Sequence, residues 1–550
     1  MVHLVKKVIK GNTYLYLEET ARIDGKPTRI WQKYLGSESK MKEQAEFQLK
    51  PEFTVTTLDY GFPLVLMHLI KKLELIEIIN DCTGKRAQGL SVGHYIALAT
   101  INRCVKPTSK ARIRRWFENT ALFKEFPLVE TYLDSMAYTN HFKYLTPEVI
   151  NEIETRIHEN LLSKFEVDMK TLFYDPTNFF TYINPKPSVE LPRHGHSKEG
   201  RSTLNLIGLT LFCTKDGALP VMHEVYPGNV QDARLFRDEI SRLLKRLKRI
   251  DIDPRELCLV FDKGNISEEA FEQINASGMH FIASIRPSMQ KDLAILTPKD
   301  FSLEKLPNGK EVGVLEYARK IYGPNDRLFV VYNPRRREWQ ENNLKAKLEK
   351  RISEVNDWFN HRLNVKKWRD PKSVEKKIRD IIKTKKALNW ISYSVSGKHA
   401  HVKYSIKIKK KVLNSHLDTL GKSYLLSNHP DMTPLDIVWL FRQQFTVERA
   451  FKYIKMPTTI SVRPIFHRKD DSIRGHLFTC VLGLLLLMLL TRKIQSEFKE
   501  MSLLKIVETL SEIELAVINF KGSKKSIRKI VKTSEDAEEL SKFFDLEAHL

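Results

Sequence analysis

Three acidic residues stand where their surroundings would give a carboxylate chemical work. Asp175 closes the strand-like run Thr171-Leu-Phe-Tyr-Asp175 and is followed by Pro176. Proline donates no hydrogen bond to a sheet ladder, so the strand is expected to stop there and leave Asp175 at the rim of a sheet. Asp262 closes a second apolar run, Leu257-Cys-Leu-Val-Phe-Asp262. After it come Lys263-Gly264-Asn265 and a helix start at Ser267, with Glu268 and Glu269 in the first turn. Two such strands side by side would hold two carboxylates close together, which is costly unless a divalent cation neutralises them. Glu448 is the third candidate. Thr433 reads as an N-cap, with Pro434 at the first helical position and Asp436 three residues on. At about 3.6 residues per turn, Phe441, Gln444, Glu448 and Lys455 then share one helix face, which offers a carboxylate for a metal and an ammonium for a phosphate.

The elements around these residues can be read in order. Residues 1–36 alternate as strands, with a turn at Asp24-Gly-Lys-Pro27. Helical periodicity follows from about Phe62 to Leu162. Within it, Lys106-Pro-Thr-Ser-Lys-Ala-Arg-Ile-Arg-Arg-Trp116 offers an N-cap at Thr108 or Ser109, followed by Lys110, Arg112, Arg114 and Arg115. That start suits a DNA backbone, and equally a solvated basic helix packed by Ile113, Trp116 and Phe117. Beyond Asp175, a loop from Pro185 to Arg201 carries His194 and His196. With no Cys or carboxylates nearby beyond the loop's own Glu190 and Glu199, a polar loop near substrate is a simpler reading than a metal site. A hairpin then runs from Leu204 to Tyr226 around Lys215-Asp-Gly217, followed by an amphipathic helix over 231–249, the strand ending at Asp262, a helix from Ser267, and a strand over Met279–Ile285.

Three strands, helix, strand, helix, strand, with Asp at the ends of the first and fourth strands, matches by analogy a ribonuclease-H-like fold, in which those two strands are neighbours. The Glu448 helix should follow the fifth strand directly, so residues 286–430 read as an insertion. That stretch mixes strand-like pieces with two long basic helices beginning near Arg337 and Ser373, and contains Trp339, Trp358, Trp368 and Trp390. Basic helices with interleaved aromatics suit a clamp on DNA, although any single Trp serves packing more simply. The expected fold is therefore α/β: a ribonuclease-H-like core (166–285 and 431–495) interrupted by a mixed β/α insertion. An N-terminal β-meander (1–50), a helical region (51–165) and a C-terminal helical tail (496–550) complete it.

Composition narrows the partners. Lys and Arg number 91 against 67 Asp and Glu, a net charge of +24, and such an excess attracts polyanions. The five cysteines are scattered without a CxxC pair, so neither a disulfide framework nor a thiolate zinc site is supported, and the expected compartment is reducing. No signal-like apolar segment follows Met1. The apolar run Leu477 to Leu490 is too short to span a bilayer of roughly 30 Å, so it reads as a core helix and no membrane partner is expected.

Asp175 with Pro-Thr after it, the Tyr226-Pro-Gly-Asn229 corner, Asp262 at a strand end and Glu448 seven residues before Lys455 together resemble DDE transposases of prokaryotic insertion sequences. The similar group is the one written IS four, including its IS sixteen-thirty-four branch, and the resemblance covers roughly residues 90–490. It implies a ribonuclease-H-like fold and DNA cleavage with strand transfer. It further implies a metal-binding triad of Asp175, Asp262 and Glu448 holding two Mg²⁺ ions, with Mn²⁺ able to substitute. Lys455 matches the phosphate-contacting lysine of the family signature. Phe441 stands where that signature has Tyr and Gln444 where it has Arg, leaving Arg442, Arg449 or Arg463 as substitutes for the phosphate grip. The implied partners are double-stranded DNA, as transposon ends and target, and a second copy of the chain; the implied place is the cytoplasm, at the nucleoid. The competing expectations are a nuclease of the same fold that cleaves without joining, and a DNA-binding relative that has lost catalysis.

Overall fold

The computed structural model describes the chain apart from Met1, Asp24, 50–52, 85–88, 127–132, Pro185, Pro187, 198–199, 201–202, Lys291, 384–388 and 522–525. Asp24 of the expected N-terminal turn therefore lies outside the described residues, as do parts of the 185–201 loop and of the C-terminal tail. In chain order the first elements are strands β1 (Val2–Ile9), β2 (Asn12–Ile23) and β3 (Lys26–Ser37), helix α1 (Glu38–Leu49) and strand β4 (Phe53–Asp59). Six helices follow: α2 (Gly61–Leu73), α3 (Leu75–Thr83), α4 (Val92–Val105), α5 (Ile113–Phe117), α6 (Ser135–Phe142) and α7 (Pro147–Phe165). Next come β5 (Thr171–Thr181), β6 (Asn205–Thr214), β7 (Pro220–Pro227), α8 (Asp232–Arg249), β8 (Cys258–Phe261), α9 (Glu268–Ser277) and β9 (His280–Ile285). Residues beyond these form β10 (Leu303–Lys305), β11 (Glu311–Ala318), β12 (Arg327–Tyr332), α10 (Pro334–Phe359), α11 (Pro371–Ile382), β13 (Ile391–Ser396), β14 (Lys403–Ile408), α12 (Lys410–Leu417) and β15 (Lys422–Ser427). The chain ends with α13 (Pro434–Arg442), α14 (Phe445–Lys455), α15 (Asp470–Gln495), α16 (Leu503–Ser511), β16 (Glu514–Phe520), β17 (Ser526–Val531) and α17 (Glu535–Phe543).

These elements fall into two compact units, one of Met1–His68, Thr108–Asp134 and Glu500–Leu550, the other of Leu69–Pro107 and Ser135–Lys499. The first contains an antiparallel β-meander ordered β1-β2-β3, which ends at Ser37 where the expectation ran to residue 50 and gives way to α1, and a second sheet ordered β17-β16-β4. This second sheet departs from the expectation of helices alone over 51–165 and 496–550. β4 pairs with β16 from Asp59↔Glu514 to Phe53↔Phe520, partners so far apart in sequence that periodicity gives no sign of their meeting.

The second unit is built on a nine-stranded mixed sheet ordered β10-β11-β12-β15-β9-β8-β5-β6-β7. β8 runs parallel to both β5 and β9, while β6, β7, β10, β11, β12 and β15 join antiparallel. The chain between β9 and α13 thus adds four strands to the central sheet. The rest of it, α10, α11, β13, β14 and α12, closes over its own core of Leu348, Val355, Phe359, Val374, Ile378 and Ile391. On one face of the central sheet the rings of Tyr174, Phe236, Phe261, Phe271 and Phe281 pack in sequence, so α8 and α9 cover that face. α15 is longer than its apolar run suggested. By length and composition it could cross a membrane, yet 94% of its apolar window is buried within the protein.

Two local expectations are corrected. β5 does not stop at Pro176 but continues to Thr181, paired with β6 throughout, from Leu172↔Thr214 to Thr181↔Asn205. The parallel ladder to β8 ends at Tyr174↔Phe261, so Pro176 sits where the strand has only one partner left, a position that tolerates proline. The helix begun at Pro434 is not continuous to Lys455. Thr433 caps it as expected, accepting a hydrogen bond from the Asp436 amide at 3.2 Å. It then tightens, with Gln444 N bonding Phe441 O and Thr446 N bonding Gln443 O, and breaks between Arg442 and Phe445. The break lets α13 pack on β8, β9 and β11 while α14 packs on β5 and β6, following the twist of the sheet. Gln444 consequently caps α14 and no longer shares a continuous helix face with Phe441.

The corner after β7 is close-packed against β6. A Cβ placed on Gly228 would lie 2.2 Å from the Leu206 carbonyl oxygen, whereas one on Gly264 would meet nothing within 4 Å. Gly228→Ala is expected to destabilise the protein by about 1–3 kcal/mol, and Gly264→Ala to stay within about 0.5 kcal/mol of wild type. Urea midpoints of the two variants check this; equal midpoints would contradict the packing of the corner.

Candidate functional site

Side chains alternate along a strand, so Asp175, Thr177 and Phe179 face one side of the sheet and Tyr174 the other. Tyr174 is level with Phe261 on β8, and Phe261 with Ala283 on β9. The next residue on each element, Asp175, Asp262 and Ser284, therefore forms a row across β5, β8 and β9 on the face opposite the aromatic cluster. Asp262 is held in place locally. Its Oδ1 accepts a hydrogen bond from Ser284 Oγ and another from the Lys263 amide at 2.8 Å, and that amide also reaches Ser284 Oγ at 3.0 Å. Asp262 Oδ2 has no partner among the described residues. Asp175 is half-buried and Asp262 exposed.

α14 lies on the same face. Lys455 Nζ donates to Thr177 Oγ1 at 3.0 Å and stands 5.4 Å from the Phe179 ring centroid, so the helix face carrying Lys455 meets the strand face carrying Asp175. Glu448, seven residues earlier, shares that helix face and is exposed, with no partner for its carboxylate among the described residues. Among the described residues no three His, Cys, Asp or Glu side chains are drawn together closely enough to hold a metal ion. The two aspartates are thus level on neighbouring elements, and Glu448 stands off on the helix that faces them. By chemistry the donor set fits a hard divalent cation: three carboxylates, of which Asp262 Oδ2 and Glu448 are unpartnered.

The expected DNA-contacting residues are dispersed. Arg463 stacks on Phe180 at 4.6 Å, beyond Lys455 along β5, and Arg449 lies over Phe445 at 5.1 Å on α14. Arg442 lines a cleft of about 350 Å³ beside Asp262. In the other unit, Arg112, Arg114 and Arg115 are exposed, Arg114 pairing with Glu118 at 3.0 Å. Lys110 is only 6% exposed, because the 3₁₀ turn over Lys110–Arg112 directs it inward, so it does not present its charge to solvent as Arg112 does. The 185–201 loop docks through backbone. Asn178 Nδ2 donates to His196 O at 2.9 Å, and Gly195 lies against Gly228.

Several residues escaped the sequence reading. Ser284 gave no signal of its own, because its role comes from standing level with Asp262. Tyr226 packs its ring on Gly208 and donates to the Thr177 carbonyl at 3.4 Å; burial, then the charges of Asp232, Glu239 and Asp175, push its phenol pKa up. Glu239 on α8 is buried beneath β5, accepting hydrogen bonds from Thr210 Oγ1 and from Tyr174 OH at 2.6 Å. Burial pushes its carboxyl up to about 8, against the opposing pull of those hydroxyls and of Arg242.

Comparison with known proteins places the chain in a class. Residues 185–486 match the family described as Transposase DDE domain, more than half of the chain, and the protein belongs to that family. The matched span includes Asp262 and Glu448 and begins ten residues after Asp175. Membership of this family makes it a DNA-cleaving and DNA-transferring enzyme. No curated protein matches the sequence. Among solved structures, piggyBac transposase in a synaptic complex with hairpin DNA is similar at a TM-score of 0.34 and 10% identity, covering 84% of this chain and 82% of that one; a likeness this weak bears no weight.

Glu239 yields a pH test. The folded state holds its proton more tightly than the unfolded chain does, so this group's contribution to stability falls as pH rises from the ordinary carboxylate range toward about 8. Glu239→Gln is expected to remove that loss, on the order of 1–3 kcal/mol between pH 5 and pH 8, in urea unfolding at the two pH values. An unchanged difference between them would mean that Glu239 ionises normally.

Proposed function

We propose that the protein is an active transposase of an insertion sequence, of the IS four type and its IS sixteen-thirty-four-like branch, which cleaves DNA at the ends of a mobile element and joins those ends to a target. The observation that carries this reading is the level placement of Asp175 and Asp262 on one sheet face, opposite the helix bearing Glu448 and Lys455. The strand order β7-β6-β5-β8-β9, with β6 alone running antiparallel to the other four, supports a ribonuclease-H-like core.

In this reading Asp175, Asp262 and Glu448 hold two Mg²⁺ ions, or Mn²⁺ in their place. Such ions supply Lewis acidity to a phosphodiester and an oxygen nucleophile at neutral pH. The reading requires Glu448 to approach the two aspartates when DNA is bound. Ser284 and the Lys263 amide orient Asp262 so that Oδ2 faces outward. Lys455 steadies a strand phosphate along β5, and the net charge of +24 draws in double-stranded DNA, both transposon ends and target. Two copies of the chain bring the two ends together, in the cytoplasm at the nucleoid. No side chain need serve as a covalent nucleophile.

The test is incubation of purified protein with a labelled fragment of the DNA flanking its gene and Mg²⁺, scored for nicks, hairpins and joined products. Asp262→Asn is expected to abolish cleavage while leaving duplex binding within about twofold of wild type. Nicks without joined products would establish the nuclease instead; undiminished cleavage by Asp262→Asn would remove the aspartate from the chemistry.

A further inference from the structure

The cleft beside Asp262 has an electrostatic character that the aspartates do not explain. Its lining includes four cationic side chains, Lys263, Arg336, Lys422 and Arg442, against the single carboxylate of Asp262. Arg336 comes from the first turn of α10 and Arg442 from the last residue of α13, so two elements far apart in sequence aim guanidinium groups at one space. Neither guanidinium donates a hydrogen bond or pairs with a carboxylate among the described residues. Lys422 differs, since its ammonium donates to the Leu296 carbonyl. Arg442 is half-buried, and its burial, followed by the nearby charge of Arg336, pushes its pKa below the ordinary guanidinium value. A half-buried guanidinium held beside an exposed second one without a counter-ion is unfavourable, and the arrangement is relieved by an anion that both can bind.

The surroundings define which anion. Asn333, the N-cap of the 26-residue helix α10, also lines the cleft, adding the positive end of a long helix. Ser423 offers a hydroxyl, and Val438 and Phe441 form an apolar wall that excludes water and strengthens the charge interactions. At about 350 Å³ the cleft lies at the small end of ligand-site sizes, roughly 300–1,000 Å³, with room for a phosphodiester and part of its sugar. Asp262 on the rim ties the space to the candidate catalytic row.

We propose that this cleft is a phosphodiester-binding site in which Arg336 and Arg442 share one backbone phosphate of the DNA strand, next to the phosphodiester presented to Asp175 and Asp262. The inference deepens the transposase reading and rests on it for the identity of the ligand as DNA. It assigns to α10 a direct part in seating the substrate, and it gives this chain a phosphate grip that does not depend on residue 444, which is Gln here.

The test uses the full chain as wild type, Arg336→Ala, Arg442→Ala and the double variant. Thermal unfolding is followed with and without inorganic phosphate. Binding of a labelled duplex is measured without divalent cation across a salt series. Phosphate is expected to raise the Tm of wild type, and each single variant is expected to lose most of that rise while its Tm without phosphate is unchanged or higher, because the repulsion is gone. Each variant is expected to bind duplex about tenfold more weakly at low salt, with the slope of log K against log salt lowered by about one. The double variant should lose little more than either single one, because one phosphate is shared. Arg442→Lys, which keeps the charge but not the fork, should recover part of the affinity. A phosphate effect that persists in the double variant, or is missing in wild type, overturns the proposal. These readouts need no catalysis. Phosphate protection with no DNA cleavage would sink the transposase reading and leave the anion site standing, and cleavage without phosphate protection would do the reverse.

Discussion

The pairing of β5 with β8 is the constraint on which the site depends. Only four residue pairs make up that parallel ladder, Thr171↔Cys258 to Tyr174↔Phe261, yet they decide that Asp175 and Asp262 stand level. A slip of one residue would turn every side chain to the opposite face. What opposes such a slip lies beneath the sheet. Tyr174 and Phe261 both pack on Phe236 of α8, with ring centroids 4.7 Å and 4.6 Å away, and reversing either strand would drive a carboxylate into this apolar cluster. The buried aromatic face therefore sets the geometry of the acidic one.

Charge is managed on both sides of that ladder. Below it, burial raises Glu239 until it largely keeps its proton at neutral pH, so a third negative charge is not placed close under Asp175. Above it, Asp262 is tethered through one carboxylate oxygen and leaves the other outward, in a protein whose surplus is strongly cationic. The carboxylates of the proposed metal site thus coexist with the positive surface that a nucleic-acid enzyme requires.

The long stretch between β9 and α13 has two structural roles. Through β10, β11, β12 and β15 it widens the central sheet, and through α10 to α12 it builds a small body with its own hydrophobic core. The break between α13 and α14 belongs to the same design, since one helix covers the strands near β9 while the next covers β5 and β6. The first turn of α10 and the last of α13 meet beside Asp262 as a result.

Local chemistry alone accounts for much of what the sequence determined. The hairpin of β6 and β7 was legible from its Asp216-Gly217 turn, where Gly217 adopts φ +76°, and α9 from Ser267, whose hydroxyl caps Ala270 N. β8, β9, α8 and the strands and long helices of the stretch beyond β9 were readable from periodicity for the same reason: each signal lies within one turn or one strand. The sequence also singled out Asp175 and Asp262, because an acid at the end of an apolar run is a local pattern, and Glu448, because it shares a helix face with Lys455. It misjudged β5 at Pro176, since whether a missing N–H matters depends on which neighbouring strand is still present there. It ran α13 and α14 together, because the break answers the twist of a sheet assembled from distant segments. The β4–β16 pair, the level stance of Ser284 with Asp262, and the facing of Arg336 and Arg442 were decided by tertiary structure alone. Each requires the closure of long stretches of chain, and no propensity of the residues themselves encodes which distant partner arrives.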